Sequence, residues 1–233
     1  MSWKNEVAEL RRRRKLAEQM GGAEKVARQH ARGKLDARAR IKGLVDPGSF
    51  REIGKIAGKG SYGPDGELLD LAPSNLVFGR ANIEGRPVVA SADDFTVRGG
   101  AADAAIHRKF VACEQMAHTL KIPLIRMIDG TGGGGSVKTL EEIGATYVPA
   151  TPGWGEIVKN LESVPVVALA LGPTAGLGAA RIVASHYSIM VKGLSQLFAA
   201  GPAVVEAIGE ASDKESLGGS VIHTRNGVVD EEV

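Results

Sequence analysis

The chain has 233 residues, 29 Lys+Arg against 27 Asp+Glu, a hydrophobic fraction of 43% and a single cysteine, Cys113. This size and apolar content can fill a core and exclude wholesale disorder, while a net charge of +2 and an aromatic share of 4% argue against a nucleic-acid field or a base-stacking surface. One cysteine excludes a disulfide framework and a multi-cysteine zinc site, so the outlier is glycine, 31 residues and about twice the usual share.

Residues 3–20 place Trp3, Val7, Leu10 and Leu16 among charges that include Arg11 to Lys15, the pattern of a solvated helix. Gly21-Gly22 ends it, and Ala23 to His30 can begin a second helix. A basic helical stretch follows over 32–41, then a turn at Asp46-Pro47-Gly48-Ser49. Residues 54–74 are rich in Gly and Pro and weakly patterned, and read as a loop. Asn75 to Ile83 and Arg86 to Ala92 read as a strand pair turned at Glu84-Gly85. A polar loop from Asp93 to Gly100 leads into a helix over 101–120. Asp93-Asp94 reads as a solvated cap rather than a metal site.

Pro123 to Ile128, broken only by Arg126, and Val164 to Leu171, without any charge, are apolar on both faces, as in a buried parallel sheet. Tyr187 to Val191, Ser195 to Ala200 and Pro202 to Ile208 repeat the strand-then-helix theme, so the class is α/β with parallel strands. No run of ~18 apolar residues occurs and no apolar signal core follows the N-terminal charges, so a protein of the cytoplasm without a membrane span is expected.

Two glycine loops leave the ends of the buried strands: residues 129–136, Asp-Gly-Thr-Gly-Gly-Gly-Gly-Ser, and residues 172–180, Gly-Pro-Thr-Ala-Gly-Leu-Gly-Ala-Ala. Open α/β sheets bind ligands at the carboxyl ends of their strands. Glycine there lets N–H groups approach a ligand, and two such loops can aim one N–H each at a single oxygen. Tight turns and close packing explain either loop taken singly. Gly130, Gly132 and Gly135 match a dinucleotide fingerprint in letters only, because no strand ending in an acidic residue follows. The Gly-Lys-Ser/Thr of a P-loop and the G-x-S-x-G of a serine hydrolase are missing from both loops. His30, His107, His118, His186 and His223 are scattered singly, which suits chemistry carried by backbone dipoles and a base brought by the reacting partner.

Ordered short motifs carry a resemblance. Gln29 to Leu35 with Ala37-Arg38, Leu44 to Phe50, Gly85-Arg86-Pro87-Val88, Asp94-Phe95-Thr96-Val97 with Gly99-Gly100, Gly172 to Gly176, Ala200-Gly201-Pro202, and Leu217-Gly218-Gly219 with His223 run in family order across nearly the whole chain. The sequence resembles the N-terminal half of the carboxyltransferase (β) subunit of biotin-dependent acyl-CoA carboxylases, of the propionyl-CoA and methylcrotonyl-CoA type. The resemblance implies a crotonase-like (ClpP/crotonase) spiral of ββα units over residues 1–233, with a helical extension over about 1–42. It implies transfer of a carboxyl group from carboxybiotin to the α-carbon of an acyl-CoA, through an enolate held by backbone N–H groups. It assigns those groups to Gly176, Leu177, Gly132 and Gly133, and the CoA phosphates to Arg32, Lys34 and Arg38, for which a charged helix surface is the other reading.

The resemblance further implies biotin carboxylase and a biotin carboxyl carrier as partners, a C-terminal biotin-side domain that this chain lacks, and a homo-oligomer when complete. No metal, nucleic acid or membrane partner is implied. Two departures stand out: Leu177 where the family has a second glycine, and a first loop without its usual arginine. They favour one alternative, a CoA-binding domain without chemistry; the enzymatic alternative is an acyl-CoA decarboxylase or hydrolase of the same fold.

Overall fold

The computed structural model describes residues 2–102, 106–130, 137–145, 153–210 and 212–233. Three helices come first: α1 (Lys4–Glu18), α2 (Ala23–Ala31) and α3 (Ala37–Leu44). Asp36 starts α3 by accepting the Arg38 and Ala39 N–H groups, each at 2.9 Å, so the helix expected over 32–41 begins five residues later. Then come β1 (Arg51–Glu52), β2 (Gly58–Tyr62), β3 (Leu68–Pro73), β4 (Leu76–Ile83), β5 (Arg86–Asp93), α4 (His107–Leu120), β6 (Leu124–Gly130), α5 (Val137–Ile143) and α6 (Trp154–Ser163). The chain continues through β7 (Val166–Ala175), α7 (Leu177–Val183), β8 (Tyr187–Met190), β9 (Leu197–Phe198), α8 (Pro202–Ala207), α9 (Lys214–Gly218), α10 (Ser220–Arg225) and β10 (Glu231–Glu232).

The main sheet has the order β1-β4-β5-β6-β7-β8-β10, with β9 added to the end of β7. β4 and β5 form the expected antiparallel hairpin, and β5 through β8 and β10 are mutually parallel. Apolar residues on both faces of the central strands dictate cover on both faces. α3 lays Ala37 and Ile41 on β4 and β5, while α4 packs Cys113 and Ala117 on the opposite face with Phe78, Leu124 and Val166. α7 closes a third cluster with Ile128, Ala170 and Met190.

Two expectations fail. Residues 54–74 are not a loop but hold the β2–β3 hairpin, a separate two-stranded sheet against α1. β2 reads Gly-Lys-Gly-Ser-Tyr and is mostly exposed, so no apolar alternation marks it. The second glycine loop also starts late: residues 172–175 continue β7, because Thr174 and Ala175 pair with Leu197 and Phe198 of β9.

Candidate active site

β5, β6 and β7 end side by side, and the turn Arg98–Gly100 after β5 packs on Gly130 at the end of β6. Gly130 in turn pairs with Thr174 near the end of β7. Both glycine loops therefore leave one edge of the sheet. Gly132 and Gly133 of the first loop lie outside the described residues.

Gly176 begins the second loop with φ +59° and ψ −126°, a conformation that only glycine adopts at low cost. Its N–H donates to the Phe198 carbonyl at 2.9 Å. It is thus not the open donor the sequence suggested: the same bond that extends β7 onto β9 occupies it. The open N–H groups lie one and two residues on. The N–H groups of Leu177 and Gly178 lie in the first turn of α7, where no preceding helical carbonyl faces them. They meet no acceptor among the described residues. Leu177 is half-buried and belongs to none of the buried core clusters.

Beneath this edge lies a buried ionic knot. Asp129 at the end of β6 is 0% exposed. It accepts from Lys34 Nζ at 2.7 Å, Arg40 Nη2 at 2.7 Å and Gln29 Nε2 at 3.2 Å. Arg40 also holds the Leu171 carbonyl at 2.9 Å, and Lys34 Nζ stands 4.6 Å from the centre of the Phe95 ring. Burial lowers the Lys34 pKa, against the pull of Asp129. Two cations on one carboxylate leave the knot positive and fasten α2 and α3 to the strand that carries the first glycine loop. Next to it, Arg181 of α7 grips Asp93 at 2.9 and 3.3 Å and stacks 4.3 Å from the Phe110 ring. Burial raises the Asp93 pKa despite that partner.

The three basic residues expected at phosphates therefore separate. Lys34 is buried and committed to Asp129. Arg38 is held bidentate by Glu52, at 2.8 and 3.1 Å. Arg32 remains exposed and lines a cavity of about 270 Å³ with Lys25, Arg28, Gln29, Phe95, Thr96, Arg98 and Gly99. Sequence reasoning missed Lys25 and Arg28, which share a helix face with Arg32 at spacings of three and four. It also missed Asp129, whose signal was a carboxylate ending an apolar strand. Among the described residues, no three His, Cys, Asp or Glu side chains converge as a metal site, and no helix is long and apolar enough to cross a membrane.

A sheet with a parallel centre and a basic cavity at one end of its strands gives the chain the crotonase-like fold of its structural neighbours. The carboxyl transferase domain matches residues 28–233, and the chain belongs to that family. It is 35% identical over 208 residues to a probable biotin-dependent acyl-coenzyme A carboxylase beta2 subunit of Mycobacterium tuberculosis, covering 88% of this chain and 37% of that protein. It is 32% identical over 208 residues to methylmalonyl-CoA decarboxylase subunit alpha of Veillonella parvula, covering 87% and 39%. A solved transcarboxylase 12S hexamer, with methylmalonyl-coenzyme A and methylmalonic acid bound, superposes with a TM-score of 0.78 at 28% identity, over all of this chain and 45% of that one. The chain thus spans about two fifths of the length of the relatives it matches.

Proposed function

We propose that this chain is the acyl-CoA half of a biotin-dependent carboxyltransferase. The observation that carries the reading is the basic cavity at Arg32, on the same sheet edge as the Leu177 and Gly178 N–H groups. The phosphates of the ligand sit against Arg32, with Lys25 and Arg28 beside it, rather than at Lys34 and Arg38. The thioester oxygen faces the N–H groups of Leu177 and Gly178, with Gly132 and Gly133 assigned to the same oxygen by family resemblance. As the α-carbon loses its proton, negative charge moves onto that oxygen, and donors already in place stabilise it without reorganising. The α-carbon would form its new bond to the carboxyl carbon that carboxybiotin, on a carrier component, gives up as its N–CO2 bond breaks, and the ureido nitrogen so freed would take the α-proton.

The biotin side of the reaction belongs to a second carboxyltransferase domain, so residues 1–233 by themselves bind ligand but turn over little. Calorimetry with propionyl-CoA tests the reading: binding is expected, and Arg28→Glu with Arg32→Glu is expected to weaken it about tenfold, roughly 1.4 kcal/mol. No heat at millimolar ligand, with the fold intact, would sink the proposal. The decarboxylase relative supports a second reading, in which the same enolate is protonated after carbon dioxide leaves. Release of carbon dioxide from methylmalonyl-CoA without biotin would favour it.

A further inference from the structure

A strand of two residues does not hold itself in place, and β9 is such a strand. On one side it fixes the end of β7. The Gln196 carbonyl accepts the Thr174 N–H at 2.8 Å, and the Phe198 carbonyl accepts the Gly176 N–H at 2.9 Å. The Leu197 carbonyl between them is held from elsewhere: His223 of α10 meets it with Nε2 at 2.9 Å. A carbonyl only accepts, so Nε2 carries a proton. The other ring nitrogen, Nδ1, is buried and has no hydrogen-bond partner among the described residues. The one bond that orients this imidazole is therefore its bond to β9.

The rest of the mount comes from the same two short helices. Gln196 Nε2 donates to Glu215 Oε2 of α9 at 2.8 Å, and Gln196 forms a backbone bridge with Gly219. A Cβ on Gly218 would stand 2.1 Å from the Leu197 carbonyl oxygen, so α9 lays its backbone directly on β9 where only glycine fits. The Leu197 side chain sits in the third core cluster, which keeps β9 in the sheet. A greasy anchor of this kind is non-directional and does not set the tilt of the neighbouring carbonyls. The polar contacts from α9 and α10 do. Because Gly176 turns the chain at φ +59° with its N–H on Phe198, a tilt of the Phe198 carbonyl turns the Gly176 peptide and the N–H groups that follow it. Donors to a developing oxyanion act only within about 3 Å of it, so such a turn is felt at the oxygen.

We infer that His223 is a positioning residue: with Gln196 and Glu215 it holds β9 so that Phe198 keeps Gly176 turned and the Leu177 and Gly178 N–H groups aimed at the thioester oxygen. The inference rests on the reading of those two N–H groups given under the proposed function. His223 acts through Leu197, Phe198 and Gly176 rather than by touching ligand. Its loss changes how strongly the thioester is polarised and leaves the grip on the phosphates, at Arg28 and Arg32, as it was.

Isotope-edited infrared spectroscopy tests this, with the whole chain and propionyl-CoA labelled with carbon-13 at the thioester carbonyl. The parent is expected to lower the carbonyl stretch relative to free ligand, because donors on the oxygen weaken the C=O bond. His223→Phe keeps a ring but removes the donor. It is expected to return the stretch at least half-way to the free value, with calorimetric affinity unchanged within about twofold. His223→Gln puts an amide N–H near the place of Nε2 and is expected to keep the parent's shift. Glu215→Ala, at an exposed residue, releases Gln196 and is expected to give a smaller return of the same sign. If circular dichroism shows that His223→Phe does not fold, Glu215→Ala decides in its place. A carbonyl shift that survives both substitutions would overturn the inference, and so would His223→Gln behaving like His223→Phe. Ligand bound with an unshifted carbonyl in the parent would overturn the role of the Leu177 and Gly178 N–H groups, and this inference with it. Absence of binding would overturn the proposed function itself, so the failures are told apart.

Discussion

Gly172 lacks a side chain because Asp129 and Lys34 occupy the place where one would stand. A Cβ there would overlap the carboxylate and the ammonium group together, so β7 closes over the ionic knot only with glycine at this position. Gly172→Ala is expected to destabilise the chain by about 3 kcal/mol, at the upper end of overpacking costs, because the groups displaced are charged and buried. Urea unfolding measures it, and a loss below ~1 kcal/mol would mean that the knot can shift aside. Lys109 is another buried cation, 6% exposed beside Gly54, with its pKa pushed down to about 8 by burial. The folded chain releases this proton near pH 8, whereas the unfolded chain holds it to about 10.5. Between those values the unfolded state binds more protons, so this group raises stability as pH rises, and its full penalty is present below pH 8. Lys109→Met is therefore expected to stabilise the protein at pH 7 by up to about 3 kcal/mol, from 1.36 kcal/mol per pH unit. The gain should close by about pH 10.5. Comparing variant with parent is essential, because burial raises the Cys113 thiol pKa and that group acts in the opposite direction. A stability gap equal at both ends of the range would rule out titration of Lys109.

Elements were legible where one physical signal dominated. The apolar runs of β6, broken only by Arg126, and of β7, and the Glu84-Gly85 turn between β4 and β5, placed those strands within a few residues. β2 was not legible because its stability comes from pairing with β3 under α1, not from its own side chains. The sequence marked a candidate site by two glycine loops, the first of which runs outside the described residues, but not the division of labour around the second. Nothing in the letters showed that Phe198 would occupy the Gly176 N–H, or that Lys34 would face inward to Asp129. Arg126 illustrates the same limit. It interrupts an apolar strand, which the sequence shows, but its partner Glu114 lies on α4. Arg126 is 0% exposed, binds Glu114 at 3.0 and 2.8 Å, and donates to the Arg181 and Ala184 carbonyls at 3.3 and 2.7 Å. It thereby caps the C-terminal end of the short helix α7. Arg126→Met is expected to cost about 3–5 kcal/mol, because Glu114 is left buried and unpaired. Replacing Glu114 by Leu in the same chain should recover most of that loss. Additive losses in the double variant would show that Arg126 acts chiefly through the α7 carbonyls instead.

At the scale of the whole molecule, cohesion is uneven. The main sheet is held by three clusters of nine, eight and seven buried apolar residues. The unit of α1 with β2 and β3 has a cluster of only three, Ala17, Leu68 and Leu71, with Leu16 packed against it. Among the described residues its polar ties to the rest include the Gly21 N–H to Thr96 Oγ1 at 2.9 Å and Lys55 to Glu18 at 2.7 Å, and the hairpin adds no residue to the three larger clusters. Burying a leucine contributes about 1.5–3 kcal/mol, so three such residues offset only a few residues' worth of conformational entropy. The unit should therefore open without the main sheet unfolding. Hydrogen exchange is expected to show amides of α1 and β2–β3 exchanging at least about a hundredfold faster than those of β6 and β7, a difference of ~2.8 kcal/mol. The comparison holds intrinsic rates and helix fraying apart by using the middle turns of α1, whose hydrogen bonds are local, and the β2–β3 ladder, whose bonds break only if the hairpin separates. Exchange of both as slow as that of β6 would show that Gly21 on Thr96 couples this unit fully to the main core.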